Sequence, residues 1–105
     1  MPVEIIETSL FTRQVQATLS EEEYRAFQLY LVARPDVGDL IPGSGGLRKV
    51  RWGLSGRGKR GGARVIYYWQ SDAGRIFLLF LYPKNVRSDL SPRELRILRA
   101  LITND

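Results

Sequence analysis

Two strand-like segments joined by a short turn constrain the fold more than any other part of this sequence. Residues 63–70 read ARVIYYWQ and residues 75–82 read RIFLLFLY, with the turn SDAG between them. A connection this short favours antiparallel pairing of the two strands. The second segment is apolar almost throughout, which predicts a central strand that is covered, at least in part, on both faces.

The N-terminal third predicts one strand and two helices. Residues 3–8 are rich in β-branched side chains and predict a strand, after which Thr8 or Ser9 can cap a short helix that ends near Leu19. Ser20 and Glu23 have the spacing of a capping box and predict the start of a second helix. That helix should end at Arg34, because a proline follows.

The remaining elements complete a mixed fold. Residues 35–46 contain two prolines and four glycines and predict a loop, and residues 47–52 predict a strand. A glycine-rich segment, 53–62, should connect that strand to the antiparallel pair, and Ser91 with Glu94 predicts the cap of a last helix. We therefore expect an α+β fold, order β-α-α-β-β-β-α, with helices packed on one face of a small antiparallel sheet.

Positive charge is concentrated in one stretch of the chain. Residues 47–68 hold seven of the sixteen basic residues and no acidic one, so this segment carries +7 while the rest of the chain sums to −2. Such segregation indicates a surface that binds a polyanion. Alternation along a strand places Lys49 and Arg51 on one face, and Arg64 and Tyr68 share a face of the next strand. Tyr68 is the best candidate to stack on a base, whereas Trp52, Tyr67 and Trp69 are expected in the core.

Composition limits the chemistry. The chain has 105 residues, which suits a single domain over 1–105, and it has neither Cys nor His. The usual thiol nucleophiles, imidazole bases and zinc ligands are therefore excluded, and we expect no metal and no cofactor. No apolar run predicts a membrane partner, and no positively charged leader is visible, so we expect a cytoplasmic location.

Several longer segments carry a resemblance to a known family. The segments GLRKVRWG, GKRGGARVIYYW and IFLLFLYPKNVRSDLSPRE, in this order and spacing, resemble the RelE/HigB-like toxins of bacterial type II toxin–antitoxin systems. The segments SEEEYRAFQ and DLIPGSGGLRK look like the HigB branch. The resemblance implies a microbial-ribonuclease-like α+β fold. It also implies ribosome-dependent endonucleolytic cleavage of mRNA in the A site, with translation inhibited as a result.

The resemblance also implies partners and site residues. Expected partners are a cognate antitoxin, the ribosome and mRNA. Arg64, Lys49, Arg51 and Lys84 match the basic residues of the family's catalytic site. The remaining contacts with RNA or the ribosome are expected from Arg48, Arg57, Lys59, Arg60 and Tyr68. The chain departs from better-known members in having Asn85 where an arginine follows that lysine, and in having no tyrosine beyond Tyr82.

A mechanism through the RNA 2′-OH needs a base, stabilisation of a charged phosphorane and a proton for the leaving 5′ oxygen. Arg64 suits the phosphate clamp because its planar fork matches phosphate oxygens, and Arg51 would share the developing charge. Lys49 could act as the base if neighbouring cations favour its neutral form, with Lys84 or Lys59 as substitutes.

Two other functions fit the same residues. A relative in the same superfamily that poisons DNA gyrase would need no base or acid. A plain RNA-binding module would need only the basic surface and would show a steep dependence of affinity on salt.

Overall fold

A computed structural model defines residues 2–53, 62–87 and 89–102 of the protein. Within these residues, five strands form one sheet and three helices pack against it. The elements in chain order are β1 Glu4–Glu7, α1 Ser9–Thr18, α2 Glu21–Ala33, β2 Asp39–Leu40, β3 Leu47–Trp52, β4 Ala63–Gln70, β5 Arg75–Pro83 and α3 Pro92–Ala100.

The helix starts follow local sequence signals. The Thr8 hydroxyl accepts a hydrogen bond from the Phe11 N–H and caps α1. Both predicted capping boxes form, at Ser20 for α2 and at Ser91 for α3, and each satisfies two exposed N–H groups of the first helical turn. The second helix ends at Ala33 with Arg34 as its C-cap, as the following proline predicts.

The sheet has the order β1-β5-β4-β3-β2. The pairs β3–β4, β4–β5 and β2–β3 are antiparallel, and β1 pairs with β5 in parallel. The α+β class is therefore confirmed, with two corrections to the expected sheet. The predicted loop contains the two-residue strand β2. The sheet is mixed rather than purely antiparallel, because β1 runs parallel to β5 while β4, on the other edge of β5, runs antiparallel to it.

The helices lie on both faces of the sheet, so the expected packing on one face was wrong. Helices α1 and α2 cover one face, where Phe11, Phe27 and Leu31 pack against Val65 and Ile76. Helix α3 covers part of the other face, in a separate apolar cluster with the side chains Leu47, Ile66, Leu79, Leu95 and Leu98. The physical reason is that β5 is apolar on both faces, so each face needs its own cover.

A β-bulge in β5 enlarges the second apolar cluster. Ile66 pairs with Phe80 and Tyr67 pairs with Leu78, which leaves Leu79 as an extra residue of β5. Leu79 and Phe80 both contact the α3 cluster as a result. Beyond the bulge the alternation resumes, and Tyr82 lies on the α3 face of the sheet.

Candidate functional site

Three basic side chains meet on the α3 face, at the end of the sheet that α3 leaves uncovered. In the register of the sheet Arg51 lies opposite Arg64, and Arg64 lies opposite Tyr82. Lys49 lies opposite Ile66, two positions along the same strands. Residues paired directly across strands point to the same face. We call Lys49, Arg51 and Arg64 the cationic row. The structure thus brings together three of the four predicted catalytic residues.

The two arginines of the cationic row have no acid bound to them among the residues that the structure describes. Within the described residues, neither Arg51 nor Arg64 makes a hydrogen bond or ion pair through its guanidinium. Like charges directly opposite each other on neighbouring strands destabilise a sheet. Their juxtaposition is understandable if an anion binds between them, and each guanidinium can offer a pair of donors to a phosphate.

Lys49 is paired with an acid that the sequence analysis did not single out. The Lys49 Nζ donates a hydrogen bond of 2.7 Å to the Asp89 Oδ1. This bond and the charge of Lys49 lower the pKa of Asp89, and Arg64 contributes to the same shift. Asp89 is therefore an anion beside the cationic row at neutral pH.

The loop that presents Asp89 is attached firmly to α3. Arg87 donates two hydrogen bonds to the carboxylate of Glu94, at 2.9 and 2.5 Å, and one of 3.3 Å to the Asp89 carbonyl. Glu94 also accepts from the Ser91 N–H at 2.8 Å. The hydrogen bonds from Arg87 and then from Ser91 lower the pKa of Glu94 to about 2. One carboxylate thus caps the helix and holds the Asp89 loop.

Tyr82 is a second residue that sequence reasoning missed. It is buried beside the cationic row, and burial raises the pKa of its phenol, with Asp89 acting in the same direction and Lys49 and Arg64 opposing. The phenol therefore keeps its proton at neutral pH. The available signal was the strand alternation of β5, which places Tyr82 level with Arg64 once the antiparallel register is known.

The other predicted residues lie elsewhere. Lys84 is exposed in the turn that follows β5, and its backbone N–H donates to the Gly62 carbonyl. Arg48 points to the opposite face, where its Nη1 donates to the carbonyls of Asp36 and Gly38 at 3.1 and 2.7 Å. Arg57, Lys59 and Arg60 lie outside the described residues.

Tyr68 shares a sheet face with Arg64, as predicted, but Arg99 already covers one side of its ring. The Arg99 guanidinium lies 4.7 Å from the centre of the Tyr68 ring, and the Arg99 Nε donates a 2.9 Å hydrogen bond to the Gly45 carbonyl. A base could stack on this side of the Tyr68 ring only after the cation–π contact is broken. Trp52, Tyr67 and Trp69 belong to or pack against the core under α1 and α2, which confirms their predicted structural role.

A pocket of about 260 Å³ opens next to the cationic row, at the edge of β3. Its walls are the row itself and Val50, together with Tyr30 of α2 and the segment Val37, Gly38 and Asp39. We call it the edge pocket. It combines cations, a carboxylate and an aromatic ring within one concave surface.

Comparison with known proteins identifies a family and agrees with the α+β fold. Residues 39–104 match the family described as the RelE toxin of the RelE/RelB toxin–antitoxin system. The chain belongs to the RelE toxin family. Among solved structures, it is similar to a double arginine-to-alanine mutant of the E. coli toxin RelE in the free state. The TM-score is 0.63 at 11% sequence identity, and the match covers 94% of this chain and 98% of that chain.

The family assignment makes this RelE-family chain a toxin of a toxin–antitoxin system, and it implies an antitoxin as partner. It also supports the predicted endoribonuclease activity. Assignment to the HigB branch stays a prediction. Within the described residues, none of the helices is long and apolar enough to cross a membrane.

Proposed function

We propose that this toxin inhibits translation by cleaving mRNA in the ribosomal A site, and that the cationic row is its catalytic surface. The observation that carries the proposal is the cross-strand pair Arg51 and Arg64 beside the Lys49–Asp89 ion pair, with neither arginine in an ion pair with another described residue. Two arginines and one lysine on a single sheet face match the charge of a scissile phosphate that gains negative charge in the transition state.

We assign phosphate binding to Arg51 and Arg64. Arg64 lies at the centre of its cross-strand row, between Arg51 and Tyr82, and its planar fork can hold two phosphate oxygens at once. Arg51, opposite it, shares the charge of the phosphorane. Neither residue has to break an internal ion pair within the described structure before it binds.

We assign proton transfer to Asp89 and Tyr82, which lie beside Lys49. Lys49 lies on the same sheet face as the two arginines, and we assign its positive charge to stabilising the developing 2′ oxyanion. Asp89, 2.7 Å from the Lys49 Nζ, is the acceptor that we assign to the 2′-OH proton. Tyr82, whose phenol is protonated at neutral pH, is the donor that we assign to the leaving 5′ oxygen.

The decisive experiment maps mRNA ends in cells that express the wild type or Arg64→Ala. We expect wild-type cuts within translated reading frames, which disappear when the start codon of the reporter mRNA is removed. Loss of one charge-stabilising donor typically lowers a rate by roughly 10²–10³-fold, so Arg64→Ala should abolish growth arrest. Arg13→Ala, which removes the same charge from an exposed site on α1, is the matched control and should remain toxic.

Three outcomes would contradict the proposal. A folded and fully toxic Arg64→Ala variant would exclude Arg64 as the phosphate clamp. Intact mRNA together with an SOS response would indicate gyrase poisoning. Binding of RNA without cuts or growth arrest would indicate a plain RNA-binding module.

A further inference from the structure

The edge pocket exists because β2 is short. Asp39 is the first residue of β2 and lies opposite Lys49, so β2 does not extend along the last three residues of β3. The Ile41 N–H donates to the Leu47 carbonyl, so the backbone groups of Leu47 face β2. In an antiparallel strand every second residue directs its N–H and carbonyl towards the same neighbouring strand. The N–H and carbonyl of Arg51 therefore point to the β2 side of β3, as those of Leu47 do. Because β2 begins at Asp39, the described residues provide no strand partner for the N–H and carbonyl of Arg51 on this side.

The wall of the pocket is held in place by hydrogen bonds from the core. The buried Tyr67 hydroxyl donates to the Pro35 carbonyl at 2.7 Å and accepts from the Gly38 N–H at 2.9 Å. Arg48 donates to the Gly38 carbonyl at 2.7 Å. A Cβ at position 38 would lie 2.8 Å from the Tyr67 Cε1, so glycine is needed for this close approach. The pocket is therefore formed before any ligand arrives.

Two side chains give the pocket a chemical preference. The Tyr30 ring is 42% exposed, and it packs against Trp52 with the ring centres 5.3 Å apart, so it offers a supported aromatic surface. Asp39 is exposed, and its carboxylate has no hydrogen bond or ion pair within the part of the chain that the structure describes. Lys49, its cross-strand neighbour, pairs with Asp89 instead.

We propose that the edge pocket binds one nucleobase of the RNA whose phosphate lies on the cationic row, and that Asp39 makes guanine the preferred base. The inference rests on the proposed function only in placing an RNA phosphate on the row. The volume of about 260 Å³ corresponds to roughly nine water molecules at ~30 Å³ each, which is enough room for one nucleobase. Single-stranded RNA is commonly read by stacking on aromatic rings and by hydrogen bonds to the base edges.

The preference for guanine follows from the donors on each base edge. Guanine presents two adjacent donors, N1–H and the N2 amino group, and a carboxylate accepts both. Adenine and cytosine present one amino group next to an acceptor nitrogen, and uracil presents one N–H between two carbonyl oxygens. Each of these acceptors would face the negative charge of Asp39.

The test uses the four nucleoside 3′-monophosphates and inorganic phosphate, none of which can be cleaved at a phosphodiester bond. Binding is followed by the amide chemical shifts of the wild-type protein. All five ligands should shift the amides of Lys49, Arg51 and Arg64, and guanosine 3′-monophosphate should also shift those of Gly38 and Asp39. A good bidentate contact discriminates by ~1–3 kcal/mol, so guanosine 3′-monophosphate should bind about 10-fold more tightly than the other three.

Asp39→Asn should remove this preference without weakening the binding of inorganic phosphate. Asp72→Asn removes the same charge from the exposed turn at the other end of the sheet and should keep the preference. Equal affinities for all four nucleotides, or a guanine preference that survives in Asp39→Asn, would overturn the inference. If neither phosphate nor any nucleotide changes the amide chemical shifts of the cationic row, both the inference and the proposed phosphate site are wrong. If guanine is preferred but cells show no mRNA cuts, the proposed function alone fails.

Discussion

Removal of one buried hydroxyl should reveal how strongly the wall of the edge pocket is attached to the core. Tyr67 is fully buried, and its hydroxyl makes two hydrogen bonds, to the Pro35 carbonyl and from the Gly38 N–H. Tyr67→Phe keeps the ring and leaves both backbone groups without this partner. Each neutral hydrogen bond contributes ~0.5–1.5 kcal/mol, so we expect a loss of about 2 kcal/mol in the free energy of unfolding and a Tm lower by roughly 10 °C.

Urea unfolding, followed by tryptophan fluorescence, measures this loss. Tyr30→Phe is the matched control, because the exposed Tyr30 hydroxyl makes no hydrogen bond to the described residues, and its effect should stay within ~0.5 kcal/mol. Tyr67→Phe should also accelerate hydrogen exchange at the Gly38 amide. If the two variants are equally stable, the Tyr67 hydroxyl does not anchor the pocket wall, and the reasoning from its two hydrogen bonds is refuted.

Three further predictions address the site and its supports. Asp89→Asn should bind RNA a few-fold more tightly at low salt, because an anion beside the cationic row is lost. The same variant should cleave RNA roughly 10²-fold more slowly, because the assigned base is lost. Asp72→Asn is the control and should measurably change neither the cleavage rate nor the affinity in these assays. Glu94 has a pKa of about 2 in the folded protein, against 4.5 for a free side chain. Its contribution to stability is therefore present above about pH 4.5 and is lost as the pH falls towards 2. The Tm difference between wild type and Glu94→Gln should shrink over that range. Gly38→Ala should lower the free energy of unfolding by ~1–3 kcal/mol in urea titrations, because the new Cβ would overlap the Tyr67 ring and approach the Lys49 carbonyl at 3.1 Å.

Local elements of this protein are readable in its sequence because their causes are local. The capping boxes at Ser20 and Ser91 involve residues three positions apart, and both form as predicted. The bounds of β3 and β4 also follow the predicted segments, since alternation and flanking glycines mark them. The strand β2 escaped prediction because two residues carry no periodic signal, and β3 determines where it pairs.

The sequence by itself determined the α+β class, the strongly basic segment and the family resemblance, since each depends on residue type and order. It also placed Lys49 and Arg51 on one strand face, because alternation is a property of any extended chain. Only the tertiary structure decided which residues surround them. Tyr82 lies beside the cationic row because of the register of β4 with β5, and Asp89 lies there because its loop is attached to α3. Pairings between residues about 20 to 40 positions apart leave no local pattern in the sequence.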